Sequence, residues 1–274
     1  MKNQIIEIAD KVRNLGAMSY HNWLKDQDLD ISKKIVKDIN CLKADHRGIF
    51  ETNIKYMLID TLKFKFKKFK YANYFFNLSK KLCLKEIADE IFNTESRLTR
   101  TDCYVSPKND DPVLQWHFDH AYSGTKNVTK YVHPEAETIK FFFHLTDVSF
   151  DNGCLGYIPK SHIIAFALKK GIYEGTLKYT PYWSLNEFRK TILINENYTY
   201  LKKIVNEDIL NGFLENTEPS IFNDESELKY NFQPIKAGGA IIFNDSGAHR
   251  GSKTQITERL VLRFFFKKKS KTFN

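Results

Sequence analysis

His117 and Asp119, in the stretch Trp116-His117-Phe118-Asp119, stand two residues apart. On a β-strand, residues i and i+2 point to the same face. The imidazole and the carboxylate could then reach one point in space, as two ligands of a metal ion would. A metal centre needs a third ligand from another element. The chain has eight histidines: His21, His46, His117, His120, His133, His144, His162 and His249. His249 qualifies, because it follows a buried-looking run, Ala240-Ile241-Ile242-Phe243-Asn244, and a turn through Asp245-Ser246-Gly247. Two histidines and one carboxylate on one face of a metal leave three positions open, the facial triad of non-haem Fe(II) oxygenases. Zinc would more often be closed with Cys or a third His.

Open positions are needed because a cosubstrate and O₂ must bind the same iron. An acidic cosubstrate needs an anchor, and Arg259 opens the last apolar run, where its guanidinium fork could pair both oxygens of a carboxylate. Arg263 is the rival, four residues deeper on the same face. Ser252 could add a hydroxyl hydrogen bond to that carboxylate, and Tyr104, Gln115 and Thr138 are candidate contacts by strand position. Each assignment has a plain competitor. His117 and Asp119 could be a buried hydrogen-bonded pair, and His249 a loop histidine. His162 reads as a brace for the site rather than a ligand, and His120 and His144 as structural or substrate-facing.

The elements that would position these residues change texture along the chain. Ile5, Ile6, Ile8, Ala9 and Val12 have amphipathic helical spacing, and so has Ile31 to Ile39, with Asp28 or Asp30 as N-cap. Lys63-Phe64-Lys65-Phe66-Lys67 alternates and reads as a lysine-guarded edge strand, with a basic membrane or nucleic-acid patch as the alternative. Residues 72–93 return to helical spacing. Strand-like runs follow at 98–105, 113–119, 138–145, 154–159, 240–244 and 259–266, bridged by turns such as Asp151-Asn152-Gly153. Lys267 to Lys271 reads as a frayed tail. The expected organisation is a single domain over 1–274. Its helical part, 1–97, packs on a core of strands at 98–162 and 231–266. A helical insertion at 163–230, with Tyr179, Trp183 and Phe188, serves as lid and specificity element. Helices followed by strands and turns argue for an antiparallel α+β protein, with a cupin-like jelly roll as the all-β option.

Composition limits the partners. Apolar residues at 42% and charged residues at 27% mark a globular rather than a disordered chain. The net charge of +9 raises the question of nucleic acid, but the positive charge is dispersed and mostly lysine, so a solubilising surface is the favoured reading. Four scattered cysteines, Cys41, Cys83, Cys103 and Cys154, form no C-x-x-C pair and suit reduced thiols in a cytoplasmic protein. The N-terminus does not resemble a signal peptide, and no apolar run is long enough to span a membrane.

The ordered set resembles the phytanoyl-CoA dioxygenase-like family of Fe(II)/2-oxoglutarate oxygenases. It comprises Trp116-His117-Phe118-Asp119, Leu145-Thr146-Asp147-Val148, Asp151-Asn152-Gly153-Cys154-Leu155, Ile158-Pro159-Lys160-Ser161-His162, and His249-Arg250-Gly251-Ser252 with Arg259. The resemblance covers about 100 to 266. It implies a mostly β protein with flanking helices around a double-stranded β-helix core. The implied iron ligands are His117, Asp119 and His249, with Arg259 on the distal carboxylate of 2-oxoglutarate. The implied reaction consumes O₂ and a small-molecule substrate and releases succinate and CO₂. Lys160 departs from the family, which usually has Gly there. A non-catalytic binding or sensor module, or a nucleic-acid-directed oxygenase, are the alternative functions.

Overall fold

In the computed structural model the described residues are 2–41, 62–109, 114–119, 137–222, 224–232 and 234–269. Several residues named above lie outside them: His46, His120, His133, Lys271 and Val113.

Among the described residues eight strands make two antiparallel sheets. They are β1 (Ala17–Tyr20), β2 (Ser96–Ser106), β3 (Leu114–His117), β4 (Thr138–His144), β5 (Leu155–Tyr157), β6 (Ala240–Asn244), β7 (His249–Gly251) and β8 (Arg259–Lys268). The larger sheet has the order β1-β6-β4-β8-β2 and the smaller β3-β7-β5. This is the expected jelly-roll core.

The strand sequences explain the layering. β4, Thr-Ile-Lys-Phe-Phe-Phe-His, is buried at all seven positions, so both of its faces meet protein and period two sorts its side chains. Directly opposed residues share a face. Lys140 opposes Phe243, and Phe142 opposes Ile241 and Arg263. His144 opposes Val261, which in turn opposes Tyr104, and Arg259 opposes Ser106. These residues form the inner face, where Phe142, Phe243, Val261, Ile241, Leu155 and Tyr157 pack between the sheets.

The other face of the larger sheet, with Phe141, Phe143, Phe264 and Phe266, is covered by α1 (Lys2–Leu15), α2 (Asp26–Cys41), α3 (Leu62–Lys81) and α4 (Leu84–Phe92). A second group packs behind the smaller sheet: α5 (Ser161–Tyr173), α6 (Leu185–Ile192), α7 (Asn195–Ile204) and α8 (Glu207–Asn216). There Phe188, Leu201 and Leu210 meet Trp116, Phe118 and Ala248. A short helix α9 (Asp224–Glu227) and a 3-10 turn (Leu228–Tyr230) lead back to the strands.

Three expectations are corrected, and one strand is added. Lys63–Lys67 is the start of α3, not an edge strand; Leu62, Phe66 and Phe69 also recur at helical steps, and five alternating residues fit both periods. Helix α2 begins at Asp26, so Asp28 and Asp30 lie inside it. Asp28 accepts from Lys81 at 2.6 Å and Tyr74 at 3.2 Å, tying α2 to α3. Lys267 and Lys268 complete β8, paired with Arg97 and Ser96, rather than fraying. Strand β1, which no alternation announces, extends the larger sheet beside β6.

Candidate metal centre

His117 ends β3 and His249 opens β7, and the two are register partners. Asp119 lies two residues past His117, its backbone N–H donating to the Asp245 carbonyl at 3.3 Å. The two imidazoles and the carboxylate converge, with ligand atoms within 4.8 Å of one another. His117 Nε2 is 3.3 Å from Asp119 Oδ1, and His249 Nε2 is 3.5 Å from Asp119 Oδ2.

The other ring nitrogens decide the tautomers. His117 Nδ1 lies 2.7 Å from the Gln115 carbonyl and His249 Nδ1 lies 2.9 Å from the Gly247 carbonyl. A carbonyl accepts only from N–H, so each Nδ1 carries the proton and each Nε2 presents a lone pair. Burial pulls the His117 pKa down to about 4, with Lys140 adding to the effect. Burial, then His117 and Lys140, hold His249 well below its usual range. Both rings are neutral at pH 7, so their contacts with Asp119 are not ion pairs. Neutral imidazole and carboxylate donors without a thiolate suit Fe(II).

The triad borders a cavity of about 380 Å³ between the sheets, lined among others by Tyr104, Ser106, Phe142, Phe243, Arg259 and Arg263. Arg259 is 1% exposed. Its guanidinium donates to the Gly153 carbonyl and, at 3.1 Å, to Ser106 Oγ, while Nε has no partner. Among the described residues no carboxylate pairs with it. Arg263 is different: it forks onto Asp102 at 2.6 and 2.8 Å. Gly153, at φ +74°, is required here, since a Cβ would sit 2.7 Å from Arg259 Cδ. The Asp151-Asn152-Gly153 turn is thus the wall against which the arginine lies.

Phytanoyl-CoA dioxygenase (PhyH) matches residues 43–259. The chain belongs to the phytanoyl-CoA dioxygenase family. It is therefore an oxidoreductase of the Fe(II)- and 2-oxoglutarate-dependent class, with Fe(II), 2-oxoglutarate and O₂ as cofactor and cosubstrates. The family match begins at residue 43, well ahead of the motifs that carry the resemblance. No curated protein matches the chain.

Among solved structures, the epimerase SnoN in complex with Fe3+, alpha ketoglutarate and nogalamycin RO is similar, with TM-score 0.54, 12% identity, and 98% of this chain and 85% of that chain covered. HygX from Streptomyces hygroscopicus with iron bound has TM-score 0.53 and 13% identity, covering 97% and 87%. The carbocyclase SnoK from nogalamycin biosynthesis has TM-score 0.51 and 11% identity, covering 96% and 83%. At such identities the likeness is one of fold.

In this phytanoyl-CoA dioxygenase family member the remaining expected residues are dispersed. Tyr104 lines the cavity, and its ring lies 4.8 Å from the Arg263 guanidinium carbon and 5.9 Å from that of Arg259. Thr138 and Ser252 are not among the lining residues. The Thr138 backbone N–H donates to Asp245 Oδ1 at 3.2 Å, and the Ser252 hydroxyl lies 3.5 Å from Cys154 Sγ. Gln115 contributes its carbonyl rather than its side chain. His162 braces α1, through Nε2 at 3.0 Å from the Arg13 carbonyl, not the triad. His144 is fully buried beside Phe142, with neither ring nitrogen partnered. Lys160 adopts φ +65°, so the turn that favours glycine persists with lysine in it.

The segment 163–230 supplies no residue to the cavity wall. Phe188 and Tyr179 are consumed by the apolar cluster behind the smaller sheet. Trp183 stacks on His117 with centroids 5.2 Å apart, and Ser184 bridges to the His117 backbone. A capping box between Ser184 and Glu187 holds it there, and its carbonyl accepts from Phe118 N–H at 3.0 Å. Sequence reasoning overlooked Lys140, Ser106 and Asp245. A lone lysine inside an apolar strand was the available signal for Lys140.

Proposed function

We propose that this enzyme hydroxylates a small molecule at an unactivated C–H bond, with 2-oxoglutarate and O₂ converted to succinate and CO₂. His117, Asp119 and His249 hold Fe(II), and Arg259 holds the distal carboxylate of 2-oxoglutarate. The observation that carries the reading is the pairing of two features in one cavity: three convergent ligands with both Nε2 lone pairs free, and a buried guanidinium that meets no carboxylate among the described residues. A fully buried cation of this kind is costly unless an anion is brought to it.

Bound Fe(II), with 2-oxoglutarate and O₂, supplies the oxidising chemistry. The chain supplies position and dryness. Gln115 and Gly247 keep the imidazoles in ligand form. Ser106 and Gly153 fix the plane of the Arg259 fork. Phe142, Phe243 and Leu155 give the space between anchor and ligands an apolar lining. A small-molecule substrate fits a cavity of this size, and the SnoN complex, which holds nogalamycin RO with alpha ketoglutarate, supports that class.

The test is succinate formation from 2-oxoglutarate with Fe(II) under air, in wild type and in His117→Ala and Asp119→Ala. Both variants should fold and lose iron-dependent turnover. Full turnover in either refutes the ligand assignment.

A further inference from the structure

Lys140 is the least expected residue of the cavity. It is a lysine at the centre of a strand buried on both faces, 6% exposed, its chain between Phe243 and Phe265. Its ammonium contacts Asp119 Oδ2 and lies 3.6 Å from Asp245 Oδ2. Asp245 is itself the junction of the three elements that carry the site. Its N–H donates to the Thr138 carbonyl at 3.1 Å, its Oδ1 accepts from Thr138 N–H, and its carbonyl accepts from Asp119 N–H. Lys140 therefore closes a loop between the ligand carboxylate and the β6–β7 turn that precedes His249.

We propose that Lys140 is a positioning residue that holds one oxygen of Asp119 against Asp245, so that Asp119 offers a single oxygen to the metal and leaves the neighbouring coordination position to 2-oxoglutarate. The inference rests on the ligand assignment above. A carboxylate free to turn can give a metal both oxygens, and each oxygen taken by the protein is one position fewer for the cosubstrate. A hydrogen bond from an ammonium occupies the second oxygen and orients the group, as outer partners of ligating carboxylates do. The same ammonium carries a charge of the metal's own sign, so it weakens metal binding while protecting the open position.

Two affinities must then move in opposite directions when the contact is removed. Mn(II) is titrated into metal-free protein by calorimetry, and 2-oxoglutarate into the Mn(II)-loaded protein, with thermal unfolding recorded for each variant. Lys140→Met, by removing a like charge, should bind Mn(II) about fivefold more tightly or better, and by freeing the carboxylate should bind 2-oxoglutarate about tenfold more weakly. Lys140→Gln keeps a donor without the charge, so it should gain Mn(II) affinity and keep 2-oxoglutarate affinity near wild type. It also carries the test if the Met variant does not fold. Lower thermal stability with both affinities unchanged, or both weakened together, would overturn the proposal. Wild type that binds no Mn(II) would instead overturn the ligand assignment itself.

Discussion

Arg259→Ala and Arg263→Ala should separate two arginines that share a strand face and line the same cavity. In Arg259 the guanidinium meets only a carbonyl and a hydroxyl among the described residues. In Arg263 the fork is already filled by Asp102, which also takes Arg100 at 2.6 Å. Hydrogen bonds to charged groups are worth about 1.5–3 kcal/mol each. Loss of a two-toothed contact to 2-oxoglutarate, with Ser106 remaining, should cost about 3 kcal/mol, or roughly a hundredfold in affinity. Arg259→Lys keeps the charge but loses the fork, and should cost about tenfold. Arg263→Ala should leave 2-oxoglutarate binding within about threefold and instead strand a buried carboxylate. Breaking such a pair costs about 3–5 kcal/mol, reduced here because Arg100 stays. A fall in Tm of about 6–10 °C is expected for a chain of this size. The assay is calorimetric titration of 2-oxoglutarate into Mn(II)-loaded protein, with thermal unfolding of each variant alongside. If Arg263→Ala abolishes 2-oxoglutarate binding and Arg259→Ala does not, the anchor is misassigned.

Lys160→Gly should stabilise the fold by about 1 kcal/mol, because an exposed lysine at φ +65° carries the left-handed strain that glycine lacks; thermal unfolding should rise by about 2–4 °C. Burial, with Arg259 nearby, lowers the His144 pKa to about 3. The folded state then binds fewer protons than the unfolded state between pH 6.5 and 3, so stability falls as pH drops through that window, by about 2 kcal/mol at pH 5. His144→Phe should flatten that part of the profile in denaturant titrations, and an unchanged slope would remove His144 as its cause. Ser184→Ala should cost about 1 kcal/mol through the lost N-cap, and should release Trp183, seen as a change in its fluorescence.

The triad was legible because its evidence is local. His117 and Asp119 declare themselves by spacing, and His249 by following an apolar run and a turn. The inner face of the larger sheet was legible in part, since period two places Arg259 and Arg263 together but cannot rank them. What ranks them is Asp102, on β2, which pairs with Arg263 across more than 150 residues of chain. The lysine–phenylalanine alternation at 63–67 misled for the opposite reason: it is local, and a short alternation is compatible with two periods until packing selects one. In the insertion at 163–230 aromatic residues suit a lid and a core equally, and Phe188 and Tyr179 join the core. Its apolar residues face the back of β3 and β7, so the segment sets the ligand strands from behind.

Lys140 shows why charge within an apolar run carries more information than its rarity suggests. Burying an ammonium is expensive unless carboxylates meet it, so a lysine in the middle of Thr-Ile-Lys-Phe-Phe-Phe-His implies acidic partners on the inner face before any fold is known. Two are found there, Asp119 and Asp245. Asp102 answers Arg263 by the same logic, and Asn152, whose Oδ1 accepts from Ile256 and Thr257 N–H at 3.3 and 3.1 Å, ties the Asp151-Asn152-Gly153 turn to the approach to β8. Among the described residues each buried cation of the inner face has its own acid except Arg259. That exception follows from the strand register and the packing against Gly153, and it is the position at which the proposed acidic cosubstrate would complete the charge balance of the interior.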